Sequence, residues 1–463
     1  MAGAHTNPRK QRHTAVPTKP SRVAPAAGIN AAMRKDQRPD AAPARSLSQW
    51  LIENQASISF NLILSVLFAH LGLPRARPYT AKILTLSYYN PKTGKYGIGY
   101  DDFYFIGFCI VLLTGLRAGS MQYVLSPLAR RWGVSKGKGA TRFAEQGWML
   151  LYYSVFWPLG MYIYWRSPYF LNLRELWRDW PERELSGLFK AYLLFQWSQW
   201  TQQILAANLE ARRKDYWEIM GHHFLTVTLI AASYAYHYTR VANLILVTMD
   251  VIELIFPLAK CLKSLGLTTL CDAVFAVFAV TWMATRHGLY LMICYSVYRH
   301  APEEMPFACY KGPGDNLQGP FPVPEGRAHL LVPFRDPAGL ICFDNNVWVA
   351  FFSYLMGLQA IMSVWSFFLI RVIARVLGGG NAEDVRSEDE AEVEEEAEVE
   401  EKEGAEMRPI EEEVGADDIV ESRAWQRRAG SGNRSAGSSG IRLNIQSGQK
   451  ELLNRIGCET KID

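Results

Sequence analysis

The chain of 463 residues is poor in cysteine, and its seven cysteines form no CxxC pair and no zinc-binding spacing. Most of them sit inside apolar runs, where a free thiol behaves as a small hydrophobe. There is no HExxH, no HxxHH and no second histidine box, so the ligand sets of zinc hydrolases and iron-dependent membrane oxygenases are missing and no metal is expected. No secretory signal is read, because the first apolar run begins only near Ser57. The apolar runs are continuous and do not alternate, which argues against a transmembrane β-barrel. The formal net charge of +4 blends a basic arm with an acidic tail and points to no nucleic-acid partner.

What the chain does contain is apolar and aromatic surface. Hydrophobic residues make up 49%, with 22 Phe, 22 Tyr and 14 Trp. Residues 1–49 form a polar, basic, Pro/Ala-rich arm, and residues 378–463 form a tail that is acidic and then Gly/Ser-rich. Neither composition buries enough apolar surface to fold, so both are expected to be disordered. Between them, residues 50–377 hold eight runs long enough to span a bilayer, for which about 20 residues suffice. They cover 57–73, 103–125, 147–165, 187–207, 222–238, 242–258, 270–296 and 347–370. Helices are expected throughout, since backbone polar groups in lipid must pair within their own segment.

Lys and Arg recur in alternate connections: the N-terminal arm, then Arg130, Arg131, Lys136, Lys138 and Arg142, then Arg212–Lys214, Lys260 and Lys263, and Arg371 and Arg375. This pattern predicts an even number of spans with both termini cytosolic. Within that topology Cys309 and Cys342 share the last long loop on the opposite side, where a disulfide between them is permitted. Ser387, followed by Glu388, Asp389 and Glu390, is a candidate site for an acidophilic kinase.

Ionisable residues inside a span are costly, and each marks a candidate functional site. One stretch concentrates them: Arg212, Arg213 and Lys214, then His222 and His223, then Arg240, and on the following run Asp250 and Glu253. About 100° of helix separates the adjacent histidines, so one faces a cavity squarely and the other lies at its flank. Asp250 and Glu253 are three apart and share one helix face. Two imidazoles and two carboxyls on neighbouring spans suit acid–base work near neutral pH. A lone membrane histidine is more often a packed polar residue, but an adjacent pair beside two acids favours function. Arg212–Lys214 suit the phosphates of a CoA nucleotide, although the positive-inside rule alone accounts for them. A tight hairpin about Ala242 would leave His222 about 30 Å and Asp250 about 12 Å from the turn, at different depths. A bend in the fifth span, a turn nearer Tyr236 or a steep tilt would bring them level.

The run Leu209–Asp215, the His222–His223 pair, Ser233–Tyr234, Arg240, Met249–Asp250 and Pro257–Lys260 closely resemble the longevity-assurance motif of ceramide synthases, most of all its fungal branch. Asp101–Phe105, Thr201–Gln203 and Thr285–Arg286 look like further pieces of the same TLC-domain pattern. The resemblance covers residues 100–300 well and the flanking helices loosely. It implies an all-α polytopic protein of the endoplasmic-reticulum membrane, a bundle of about eight helices that N-acylates a sphingoid base. Acyl-CoA is then the co-substrate, with no tightly bound cofactor. Carried across, the catalytic set is His222, His223, Asp250 and Glu253, with Arg212, Arg213, Lys214, Arg240 and Arg286 as substrate-binding candidates. Glu253 departs from the family, which usually has Asp there. Residues 297–370 are candidates for setting acyl length, and a small membrane subunit or a homo- or heterodimer is compatible with the family. The competing readings are a lipid-binding TLC protein without catalysis, an acyltransferase of a sterol or glycerolipid hydroxyl, and a paralogue protecting against a sphingoid-like toxin.

Overall fold

The computed structural model describes residues 47–134, 137–209 and 216–377. The N-terminal arm before Leu47, the acidic tail with Ser387, and Arg212, Arg213 and Lys214 lie outside the described residues. Within them eight long helical rods follow one another: α1 (Leu47–Gly72), α2 (Asp102–Arg131), α3 (Lys138–Trp165), α4 (Gly187–Leu209), α5 (Tyr216–Ala235), α6 (Thr239–Ser264), α7 (Thr268–Glu304) and α8 (Asn345–Leu377). Each of the eight apolar runs falls within or largely within one rod.

Five rods, α1, α2, α6, α7 and α8, are long and apolar enough to cross a membrane. Of the other three, α4 carries the most polar residues, and the fold turns them inward. In α4, Lys190, Gln196, Ser198, Gln199 and Gln202 are all buried, which lowers its mean hydropathy without exposing it to an apolar solvent. The outward faces are apolar instead, with Phe60, Phe68, Phe224, Val280 and Phe367 exposed. This inside-out arrangement suits a helix bundle in lipid, where polar groups must find partners within the protein.

One buried ion pair ties three rods together. Lys190 Nζ on α4 lies 2.6 Å from Asp102 Oδ1 at the start of α2, both side chains being almost fully buried. The ammonium also donates to the carbonyls of Ser87 and Gly97. Asp102 Oδ2 accepts from Tyr234 of α5 and from the Gly99 amide. Every member thus has hydrogen bonds beyond the ion pair, the condition under which a buried pair is tolerated.

The long connections 73–101, 166–186 and 305–344 meet at one end of the rods. A hairpin of β1 (Tyr89–Asn90) and β2 (Lys95–Tyr96) pairs with Leu185 through Tyr96. A three-stranded antiparallel sheet, β3 (Cys309–Lys311), β4 (Gln318–Phe321) and β5 (Ile341–Cys342), has the order β4-β3-β5. Cys309 and Cys342 are opposite each other in that sheet and joined by a disulfide. Arg183 holds the loops together, donating to the carbonyls of Pro337, Tyr310 and Gly339 and to His237 Nε2. Burial pulls its guanidinium down to about 10 from the usual arginine value.

The turn between α5 and α6 comes early. His237 adopts φ 56°, Tyr238 N–H bonds the Ser233 carbonyl, and His237 N–H bonds that of Tyr234. This is the double hydrogen bond of a Schellman cap, with histidine at the left-handed position that glycine usually fills. Burial of the imidazole against Arg183 holds it there. α6 is itself interrupted at Val251, between Asp250 and Ile252. Pro257 supports the break, since it cannot bond the Glu253 carbonyl four residues back.

Replacing Lys190 by Ala should leave Asp102 buried without its counter-charge and cost about 3–5 kcal/mol. A thermal melt of detergent-purified protein should show a large downward shift, whereas Lys82→Ala, in the exposed pair with Asp101, should melt as wild type. Equal melting of all three would mean that the buried pair does not hold the bundle.

Candidate active site

The early turn sets the depth of the candidate residues. His222 lies 13 residues before the end of α5, about 20 Å, and Asp250 lies 11 residues beyond the start of α6, about 17 Å. Of the three ways to bring them level, the fold uses the turn nearer Tyr236. His222, Asp250 and Glu253 consequently line one cavity of about 740 Å³, together with Arg286 of α7, Trp200 of α4 and Met362 and Trp365 of α8.

His222 is the histidine that faces this space. Its ring is packed edge-on against Trp200 (5.5 Å between centroids) and Trp365 (5.1 Å). Its Nδ1 is buried with no hydrogen-bond partner among the described residues. His223 lies at the flank, as the 100° spacing requires, with its ring 5.2 Å from that of Trp200. Its Nε2–H donates to Gln203 Oε1 at 2.9 Å, which fixes that tautomer.

The carboxyls reach the cavity from the broken region of α6. Asp250 Oδ2 accepts from Gln196 Nε2, and Gln196 Oε1 accepts from Tyr152 at 3.0 Å. Gln196 is wholly buried, so this chain from α3 through α4 fixes the Asp250 carboxyl. Asp250 Oδ1 has no hydrogen-bond partner among the described residues, and Glu253 lines the same cavity. His223 and Asp250 thus each have an amide partner on α4, Gln203 and Gln196.

The arginines divide. Arg286 sits in a π-helical stretch, Ala284–Leu289, a local widening often found at functional sites. Its guanidinium donates to the Met249 carbonyl, one residue before Asp250, and lies 4.6 Å from the centre of the Trp282 ring. Arg240 is not at the cavity. It pairs with Glu182 at 3.0 Å and donates to the carbonyls of Glu175 and Arg178, clamping the 166–186 loop at the capped end. Its place at the first turn of α6 puts it about 15 Å along the helix from Asp250. Arg212, Arg213 and Lys214 are outside the described residues.

Sequence reasoning did not single out Trp200, Trp282, Trp365, Gln196 or Tyr152. Gln203 stood only as part of a motif. These residues become site residues through packing between distant rods, and the polar content of α4 was the one signal for them in the chain.

A second, apolar cavity of about 380 Å³ continues toward the capped end. It shares Leu229, Ser233 and Ile245 with the first and is closed by Trp177, Tyr238, Phe343 and Trp348. The site therefore offers imidazole, carboxyl and guanidinium groups in one cavity that shares a wall with a second, apolar one. Among the described residues no three His, Cys, Asp or Glu side chains converge as metal ligands would.

Comparison with known proteins matches residues 142–371 to the TLC domain family. A ceramide synthase of Gibberella moniliformis is 44% identical over 393 residues, covering 85% of this chain and 87% of the relative. A sphingosine N-acyltransferase-like protein of Alternaria alternata is 40% identical over 75% of this chain and 78% of its own length. A sphingosine N-acyltransferase of Schizosaccharomyces pombe is 38% identical over 71% and 78%.

The facing and flanking histidines should be distinguishable by labelling. In a background lacking the cysteines outside the disulfide, a small apolar thiol reagent should modify His222→Cys several-fold faster than His223→Cys. The reverse order would place the wrong histidine at the cavity.

Proposed function

Since the chain belongs to the ceramide synthases of the TLC-domain family, we propose that this cavity joins the acyl group of an acyl-CoA to the amine of a sphingoid base. The enzyme is a sphingosine N-acyltransferase acting in sphingolipid biosynthesis. The observation that carries the reading is the convergence of His222, Asp250, Glu253 and Arg286 on one cavity that adjoins a second, apolar one. Joined as a channel the two suit a fatty-acyl chain, and the polar end suits the thioester and the amine.

The chemistry follows from these groups. The amine of a sphingoid base is largely protonated near neutral pH and must lose a proton before it can attack. Asp250 and Glu253 supply carboxyl oxygens to receive the ammonium, which gives up one proton before attack; an imidazole accepts a second from nitrogen as the neutral amine forms the new C–N bond. The tetrahedral intermediate then expels the thiolate of CoA, which takes that proton back from the imidazolium, leaving amide and free thiol. Arg286 is the cationic group available to the developing oxyanion. His222 is placed for either of two routes: base for direct attack, or nucleophile giving an acyl-imidazole that the amine resolves. Covalent acyl-enzyme formed with acyl-CoA alone separates them.

The topology completes the reading. All eight rods cross the membrane of the endoplasmic reticulum, with both termini and the α2–α3, α4–α5 and α6–α7 connections cytosolic and the disulfide-bearing cap, with the α5–α6 turn, lumenal. The acyl-CoA headgroup then meets the basic cytosolic connections, including Arg212–Lys214, and the base enters from the bilayer. The loop and rods of 297–370 close the channel and set the acyl length accepted. A small membrane subunit or a second copy of the chain joins the outer faces. Ser387 is a phosphosite of the acidic tail.

Purified membranes given a long-chain base and a panel of acyl-CoAs should make ceramide. Loss of acid–base catalysis should lower turnover about 10²–10⁴-fold in His222→Ala and in His223→Ala. Glu253→Asp, which restores the residue more usual in the family, should turn over at least as fast as wild type. Absence of ceramide with every donor in the wild type would overturn the reading.

A further inference from the structure

A third histidine lies beside the site, at the seam between α7 and α8. Gln359 Nε2–H donates to His287 Nδ1 at 3.0 Å, so the ring hydrogen is on Nε2 and points at Ser366 Oγ, 2.5 Å away. The same oxygen accepts from the Trp282 indole at 2.8 Å and donates its own hydrogen to the Met362 carbonyl at 2.8 Å. Ser366 and Gln359 are buried, at 4% and 7% exposed. One serine oxygen therefore joins both rods through two hydrogen bonds, and a third anchors it to its own helix.

Each group held by this junction borders the reacting centre. Trp282 lies under the Arg286 guanidinium, and Arg286 is anchored in turn to the Met249 carbonyl. Trp365, next to Ser366, packs against the His222 ring. His287 and Arg286 occupy the same π-helical stretch, whose extra residue per turn turns neighbouring side chains to both the seam and the cavity. Farther along the seam Tyr290 donates to the Leu355 carbonyl and Trp348 to that of Val297, and the junction holds the two rods in register at the level of Arg286.

We propose that His287, acting through Ser366, is a positioning residue that holds Trp282, Arg286 and Trp365 around His222. It does not exchange protons with substrate, since both ring nitrogens are engaged within the seam. The proposal rests on the acyltransferase reading of the cavity. An amide at this position can reproduce the Nε2–H donor to Ser366, whereas alanine cannot, and this difference separates the hydrogen bond from the bulk of the ring.

The test is steady-state kinetics on the purified full chain as wild type, His287→Ala, His287→Gln, Ser366→Ala and the double alanine variant. Misplacement of the catalytic wall should lower kcat about tenfold or more in each alanine variant, with KM for the sphingoid base nearly unchanged. His287→Gln should recover most of the rate. The double variant should be no slower than the worse single one, as expected for residues acting through one junction. Wild-type rates in His287→Ala, a glutamine variant as slow as alanine, or losses that multiply in the double variant would each overturn the proposal. Should His287→Ala fail to accumulate, Ser366→Ala with His287→Gln decides it by the same criteria. If the wild type makes no ceramide, the acyltransferase reading fails first. Melting temperatures of the four variants still report the junction: non-additive shifts support it, and additive shifts refute it.

Discussion

In an apolar envelope every polar group must find its partner inside the protein, and that requirement organises this molecule. α4 shows it most directly: Lys190, Gln196, Ser198, Gln199 and Gln202 are all turned inward. Lys190 finds Asp102 near the capped end, and Gln196 finds Asp250 halfway along the bundle. The helix least suited to lipid by composition thus lies between the others, organising a polar interior around which apolar rods assemble. The same constraint explains how α4 can carry so many polar residues within a bundle whose outer faces are apolar.

The capped end follows from the same economy of partners. Three long loops there carry many backbone polar groups, and Arg183 satisfies three carbonyls at once. It also supports His237 in a left-handed conformation that costs an ordinary residue about 1–2 kcal/mol. That turn in turn fixes how far His222 and Asp250 stand from the end of the bundle. A residue remote from the cavity therefore governs whether imidazole and carboxyl meet, with rigid helices carrying the effect over about 20 Å.

Apolar packing and catalysis are also joined at the opposite face of the site. Trp200 and Trp365 enclose the His222 ring, while Trp282 supports Arg286. Indoles give large, stiff surfaces, and their polar N–H groups need partners when buried. For Trp282 that partner is Ser366 on the next rod, so satisfying one buried donor fixes the distance between two walls of the cavity.

Much of this protein was legible in the chain itself. Continuous apolar runs separated by polar connections gave the number and order of the rods, because period and length are local properties of a helix. The adjacent histidines and the spaced acids gave the candidate groups and their faces for the same reason. The motif around them pointed to the family, which the relatives bear out. The chain did not reveal that Arg240 belongs to the loop clamp and Arg286 to the cavity, although both are arginines within or near apolar runs. Nor did it reveal that glutamines of α4 are the partners of His223 and Asp250. Those outcomes depend on the position of the α5–α6 turn and on which rods touch α4. Such contacts join residues scores of positions apart, and no local spacing encodes them. Tertiary packing alone decided which of several chemically suitable side chains share one cavity.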